Sequence, residues 1–122
     1  METYHRVNEM EKSKVLFDLR RFFESIDNVV FSYLFGDFLY AHFFQYLNVG
    51  VYFNDKKINN NKWNVELESY SSELAESFPY PIEFLIINNA PLQLQVDVVR
   101  GSLLSCTDEE ERKRFLEGIL KD

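Results

Sequence analysis

Cysteine is almost missing from this chain: Cys106 stands alone among 122 residues, so no internal disulfide can form and the fold must rest on its core. Histidine is equally scarce. His5 and His42 have no second His or Cys at ligand spacing, and no metal site is expected through either. Ser32, Ser102 and Ser105 lack a G-x-S-x-G turn and no Cys/His pairing is visible, which removes the motifs of nucleophilic hydrolysis. Positive charge is in deficit, with thirteen basic against twenty acidic side chains. The resulting net charge of -7 opposes a phosphate backbone, so nucleic acid is not an expected partner. Long apolar runs are also missing. Val29 to Phe35 and Phe38 to Phe44 are too short to cross a bilayer, and no basic start followed by an apolar run reads as a signal peptide. A cytoplasmic protein without membrane association is the expectation.

Aromatic side chains are abundant: twelve Phe and seven Tyr must be buried or must face a partner. The length suits one domain, residues 1–122. Val15, Leu16, Leu19, Phe22, Phe23 and Ile26 make the stripe of an amphipathic first helix. His5, ahead of it, is expected in solvent. After Asp27-Asn28 the β-branched and aromatic run Val29 to Phe35 predicts a buried strand ending at Gly36. Asp37 is expected to cap a short helix from Phe38 to Phe44. Leu47 to Phe53 predicts a second strand, Trp63 to Phe78 a helix ending before Pro79, and Ile82 to Ile87 a third strand. Asn88-Asn89-Ala90-Pro91 offers an Asn cap and a first-turn proline for a helix with Leu92, Val96 and Val99 on one face, closed by Gly101. Ser102 to Cys106 predicts a last strand, with Cys106 a small hydrophobe and not a reactive thiol. Thr107 and Glu110 suggest a capping box for a closing helix that reaches the C-terminus, with Phe115, Leu116, Ile119 and Leu120 inward. The order implies an α/β fold with a mixed sheet of about four strands covered by helices.

A strand ending in Leu34-Phe35-Gly36, then a short helix and a second strand, resembles the front end of the polymerase-beta-like nucleotidyltransferases. A longer string is more specific: Ile87-Asn88-Asn89-Ala90-Pro91-Leu92, then Val98-Val99-Arg100-Gly101-Ser102-Leu103-Leu104, then Asp108-Glu109-Glu110-Glu111-Arg112. It resembles the C-terminal half of the minimal nucleotidyltransferases (MNT), the antitoxin partners of helical HEPN ribonuclease toxins. The resemblance covers roughly Val15 to the end.

It also implies where a site would lie. In that family a serine after the glycine holds nucleotide phosphates, an aspartate pair sits at the second strand and a third acid on the third strand, together holding Mg²⁺. Here Asp37 takes the serine's place, Tyr46 and Asn48 the pair's, and Glu83 the third acid's. Tyr40 stands in the turn where the family carries an arginine. Neither Tyr46 nor Asn48 carries charge, so the resemblance implies a scaffold with a degenerate active site. No catalytic residue and no cofactor are expected; Gly36 and Asp37 would be a vestigial nucleotide site, with Glu83 the metal ligand if there is any. Phe38, Tyr40, Phe43 and Phe44 either fill the vacated space as core or form a surface for a protein partner. The implied function is that of a toxin–antitoxin antitoxin that binds a HEPN-type toxin. The alternatives are AMP transfer to a protein hydroxyl with Mg²⁺ and ATP at a rearranged site of Glu83, Asn48 and Asp37, and a nucleotide sensor without turnover.

Overall fold

The computed structural model describes residues 3–120. Helix α1 (Glu9–Glu24) is followed by β1 (Val29–Phe35), the one-turn α2 (Asp37–Tyr40), β2 (Leu47–Phe53), α3 (Trp63–Ala75), β3 (Ile82–Ile86), α4 (Leu92–Val99), β4 (Ser102–Cys106) and α5 (Glu109–Ile119). Short 3-10 turns precede α3 at Asn60–Lys62 and follow β3 at Ile87–Asn89. The expected element order holds throughout. The strands form one sheet in the order β3-β2-β1-β4. β1 pairs antiparallel with both β2 and β4, whereas β2 and β3 run parallel. The mixed character follows from the connections: the β1–β2 link is a compact reversal, and the β2–β3 link contains a crossover helix.

Alternation along the strands supplies two cores. On one face Val49, Val51 and Phe53 of β2 meet Val15, Leu19 and Phe23 of α1 and Trp63, Leu67, Tyr70 and Leu74 of α3. On the other, Val30, Phe31 and Tyr33 of β1 pack with Ile87 and Val98, flanked by Tyr52 and Phe115. β1 is central and its first six residues are buried, which is why its sequence shows a continuous apolar run and not alternation. Its one buried polar side chain, Ser32, is satisfied by the Ser105 hydroxyl at 2.6 Å.

Several local expectations are corrected. α1 starts at Glu9, because the Asn8 side chain accepts from the Glu11 amide and the Glu11 side chain reaches back to the Asn8 amide. His5 is half-buried and not solvated: its backbone exchanges hydrogen bonds with Phe44, and its ring packs on those of Phe44 and Tyr80. α2 stops at Tyr40 instead of Phe44, and α3 at Ala75 ahead of Phe78. β3 ends at Ile86, and Ile87 begins the 3-10 turn. Asn88 caps no helix; its side chain accepts from the Phe53 amide and donates to the Phe53 carbonyl, pinning the end of β2. Pro91 takes the cap position of α4, which turns Val98 inward and leaves Leu92 exposed. Asp108, not Thr107, caps α5, because the Thr107 hydroxyl is committed to the Val29 carbonyl. α5 ends at Ile119 with Leu120 exposed; the last two residues lie outside those described.

Candidate functional site

The end of β1 is shaped by two glycines. Gly36 has φ of +89°, a conformation that side chains rarely adopt, and it reverses the chain from β1 into α2. A Cβ there would also stand 2.6 Å from Asn48 Nδ2, so the amide of Asn48 lies directly over the turn. Gly101, on the α4–β4 turn, lets its backbone approach the Leu34 carbonyl so closely that a Cβ would sit 2.1 Å from the oxygen. The two contacts fix the corner from both sides.

Asp37 does not act as a side-chain cap. Gly36 occupies the cap position of α2, and Asp37 is the exposed first residue of the turn, making no cap hydrogen bond. Its carboxylate still lies at the positive end of that turn. Asn48 is the register partner of Phe35 on β1 and of Glu83 on β3, so Asn48 and Glu83 project from neighbouring strands on one face. Gly36, Asp37, Gln45, Tyr46 and Asn48 line a cleft of about 160 Å³. Gln45 and Tyr46 also line an adjoining groove with Thr3, His5 and Pro81. Gln45 had no motif to betray it, since only the bend before β2 brings it there.

Glu83 is exposed and does not line that cleft. Among the described residues, no three His, Cys, Asp or Glu side chains come together in a way that could hold a metal ion. Mg²⁺ demands near-octahedral oxygen geometry and is usually held by one or two carboxylates, with waters and substrate phosphates completing the shell. At the positions the resemblance implies for the acids, Asn48 and Tyr46 offer no carboxylate and the Glu83 carboxylate lies outside the cleft, so the side chains present do not fit such a site.

The aromatic segment divides. Phe38 and Phe44 are 0% and 1% exposed and meet edge to face at 4.9 Å, within the first of the two cores. They cannot form a partner surface, and that expectation is corrected for both. Tyr40 and Phe43 are 72% and 54% exposed, and Tyr46 is exposed to a lesser degree. Tyr40 is nevertheless held: its hydroxyl donates to the Arg100 carbonyl at 2.7 Å, tying α2 to the end of α4. Cys106 packs against the second core, where burial pushes its thiol pKa up, away from the reactive thiolate. Arg112 reaches from α5 to the Tyr33 hydroxyl at 3.0 Å and pairs with Glu109, so the acidic start of α5 is partly neutralised within its own helix.

No family model and no curated protein matches this chain. Solved structures do. A chain of a mutant toxin–antitoxin MntA-HpeT crystal structure is 21% identical, with a TM-score of 0.60 over 94% of this chain and 85% of that one. A crystal structure of the toxin–antitoxin with AMP-PNP gives 19% identity and a TM-score of 0.58, covering 90% of this chain and 84% of that one. A structure of tri-AMPylated Shewanella oneidensis HEPN toxin in complex with MNT antitoxin gives 18% and 0.56, covering 93% and 83%. The likeness spans nearly the whole chain and shows its fold to be that of the MNT nucleotidyltransferase-like structures.

Proposed function

We propose, from that shared fold, that this chain serves as the antitoxin of a HEPN/MNT-type pair and restrains its partner by contact, without nucleotide chemistry. The observation that carries the reading is the cleft at Gly36. Its walls supply Gln45, Tyr46 and Asn48 where a triphosphate and its metal would need positive charge and clustered carboxylates. Asp37 adds repulsion towards phosphate. On the same segment, Tyr40 and Phe43 present large apolar surfaces to solvent, the side-chain types enriched at interface centres. The solved structures of similar fold are toxin–antitoxin assemblies, one with a HEPN toxin, which favours a protein as the occupant of that flank. Among the described residues no helix is long and apolar enough to cross a membrane.

Co-expression with a HEPN-type protein encoded beside it in the native host, followed by affinity capture of this chain, tests the reading. A stable complex that forms with the wild type and weakens with Tyr40→Ala or Phe43→Ala is expected. No complex, with this chain recovered alone, would overturn it.

A second reading rests on the side-by-side placement of Asn48 and Glu83 next to the preserved Gly36 turn. In it the chain transfers AMP to a protein hydroxyl at a rearranged metal site. It requires Glu83, now exposed outside the cleft, to turn toward Asp37, and it stands second for that reason.

A further inference from the structure

The two edges of the sheet are treated differently. At β4, the Arg20 guanidinium of α1 donates to the Leu103 carbonyl at 3.2 Å, and Ser102 and Ser105 make the strand partly polar. One backbone acceptor of that edge is thereby already engaged. At β3, Ile82, Phe84, Leu85 and Ile86 are all partly exposed, and Glu83 is the strand's one charge. β3 ends the sheet.

The direction of its free hydrogen-bonding groups follows from the pairing. Leu47 is the register partner of Ile82, and the Leu47 amide donates to the Pro81 carbonyl at 2.9 Å. In a parallel pair this turns the polar backbone groups of Glu83 and Leu85 toward β2 and those of Ile82, Phe84 and Ile86 outward. Among the described residues no other element bonds the outward groups of Ile82 and Phe84. An apolar edge with open donors and acceptors is a template for another strand.

We propose that β3 is the pairing edge of a symmetric dimer, in which Ile82–Ile86 of two copies run antiparallel about a two-fold axis through Phe84. The strand is self-complementary in this register. Phe84 faces Phe84 of the second copy and exchanges both backbone bonds with it; Ile82 faces Ile86, whose carbonyl is already engaged at the start of the 3-10 turn Ile87–Asn89, so that pair is joined through the Ile86 amide and the Ile82 carbonyl. The same pairing places Ile82, Phe84 and Ile86 of both copies on one face as an unbroken apolar ladder. On the opposite face each Glu83 stands across from Leu85, so no carboxylate directly opposes another. The result is a continuous eight-stranded sheet, twice the four strands of one copy, with both Gly36 clefts retained. Each copy carries a net charge of -7, so the pairing is weak at low ionic strength and tightens as salt screens the repulsion.

Sedimentation equilibrium of the wild-type chain, with this chain as its own probe, should show reversible monomer–dimer exchange shifted to dimer by salt and by Glu83→Gln. Register is tested by disulfide trapping in a Cys106→Ser background. Phe84→Cys puts two thiols at the axis, where facing Cα atoms lie about 5.5 Å apart, within disulfide reach. Leu85→Cys leaves them on a diagonal, beyond about 7 Å. Oxidation should therefore yield a covalent dimer at least tenfold faster for Phe84→Cys. A wild-type chain that stays monomeric at every concentration and salt level, or trapping that is equal at both positions, would overturn the proposal. So would a chain that is monomeric alone and pairs β3 only with a strand of a co-expressed protein.

Discussion

The front of the molecule, from Gly36 to Asn48, and its back half, from Ile87 to Arg112, use their polar and aromatic residues in opposite ways. In the back half nearly every distinctive side chain is spent on the scaffold: Asn88 clamps Phe53, Gln95 donates to the Ile87 carbonyl, Thr107 ties β4 to β1, and Arg112 reaches Tyr33. In the front, Phe38 and Phe44 join Leu47 in the core, while Tyr40, held only through its hydroxyl, Phe43 and Asp37 remain at the surface. A residue string can therefore be distinctive because it builds the fold, as the back half does, without saying anything about chemistry. The front is where the molecule is free to differ.

Substitutions that separate the two uses should differ sharply. Phe38→Ala removes a fully buried ring and is expected to cost about 3–5 kcal/mol in denaturant unfolding. Phe43→Ala, one short segment away and exposed, should stay within about 0.5 kcal/mol while weakening capture of a protein partner. Equal losses of stability at both positions would erase the division within the segment.

Two glycines toward the C-terminus, Gly101 and Gly118, offer a similar contrast. Gly101→Ala drives a methyl group into the Leu34 carbonyl and is expected to destabilise by about 1–3 kcal/mol. Gly118→Ala meets nothing within 4 Å on α5 and should stabilise by about 0.5–1 kcal/mol through helix propensity. Thermal melts of the two variants moving in opposite directions are the expected outcome.

A smaller effect concerns the α3 face of the scaffold. Burial, reinforced by the hydrogen bond to Glu66, holds the Tyr70 phenol pKa above its ordinary value. A raised folded pKa means that this contribution to stability is complete below the unfolded value of about 10 and is lost as pH rises past it. Unfolding titrations should show alkaline destabilisation that Tyr70→Phe reduces, with Tyr52 and Tyr80, also raised by burial, leaving a remainder.

How far the sequence revealed all this depends on the range of the interaction. β1, β2 and β4 were legible to the residue, because β-branched and aromatic runs bounded by Gly or Asn describe buried strands well. Caps were less legible. Asn8 and Glu11 form the kind of box that Thr107 and Glu110 only imitate, since the Thr107 hydroxyl is claimed by a carbonyl on β1 that no local pattern announces. The site divides in the same manner. Gly36, Tyr46 and Asn48 line one cleft and Glu83 stays outside it, while Gln45 enters through a bend and Tyr40 is held by a carbonyl sixty residues on. The split of Phe38 and Phe44 from Tyr40 and Phe43 needed the early end of α2 at Tyr40, where Ala41 turns to extended backbone.

The most direct test of a contact-only antitoxin is incubation of this chain with a HEPN-type partner, labelled ATP and Mg²⁺ or Mn²⁺, scoring complex formation and label together. A complex that silences the partner's ribonuclease activity with no label on either protein is the expected result. Label transferred to the partner, and lost on Glu83→Ala, would contradict it and establish the cleft at Gly36 as a working nucleotidyltransferase site.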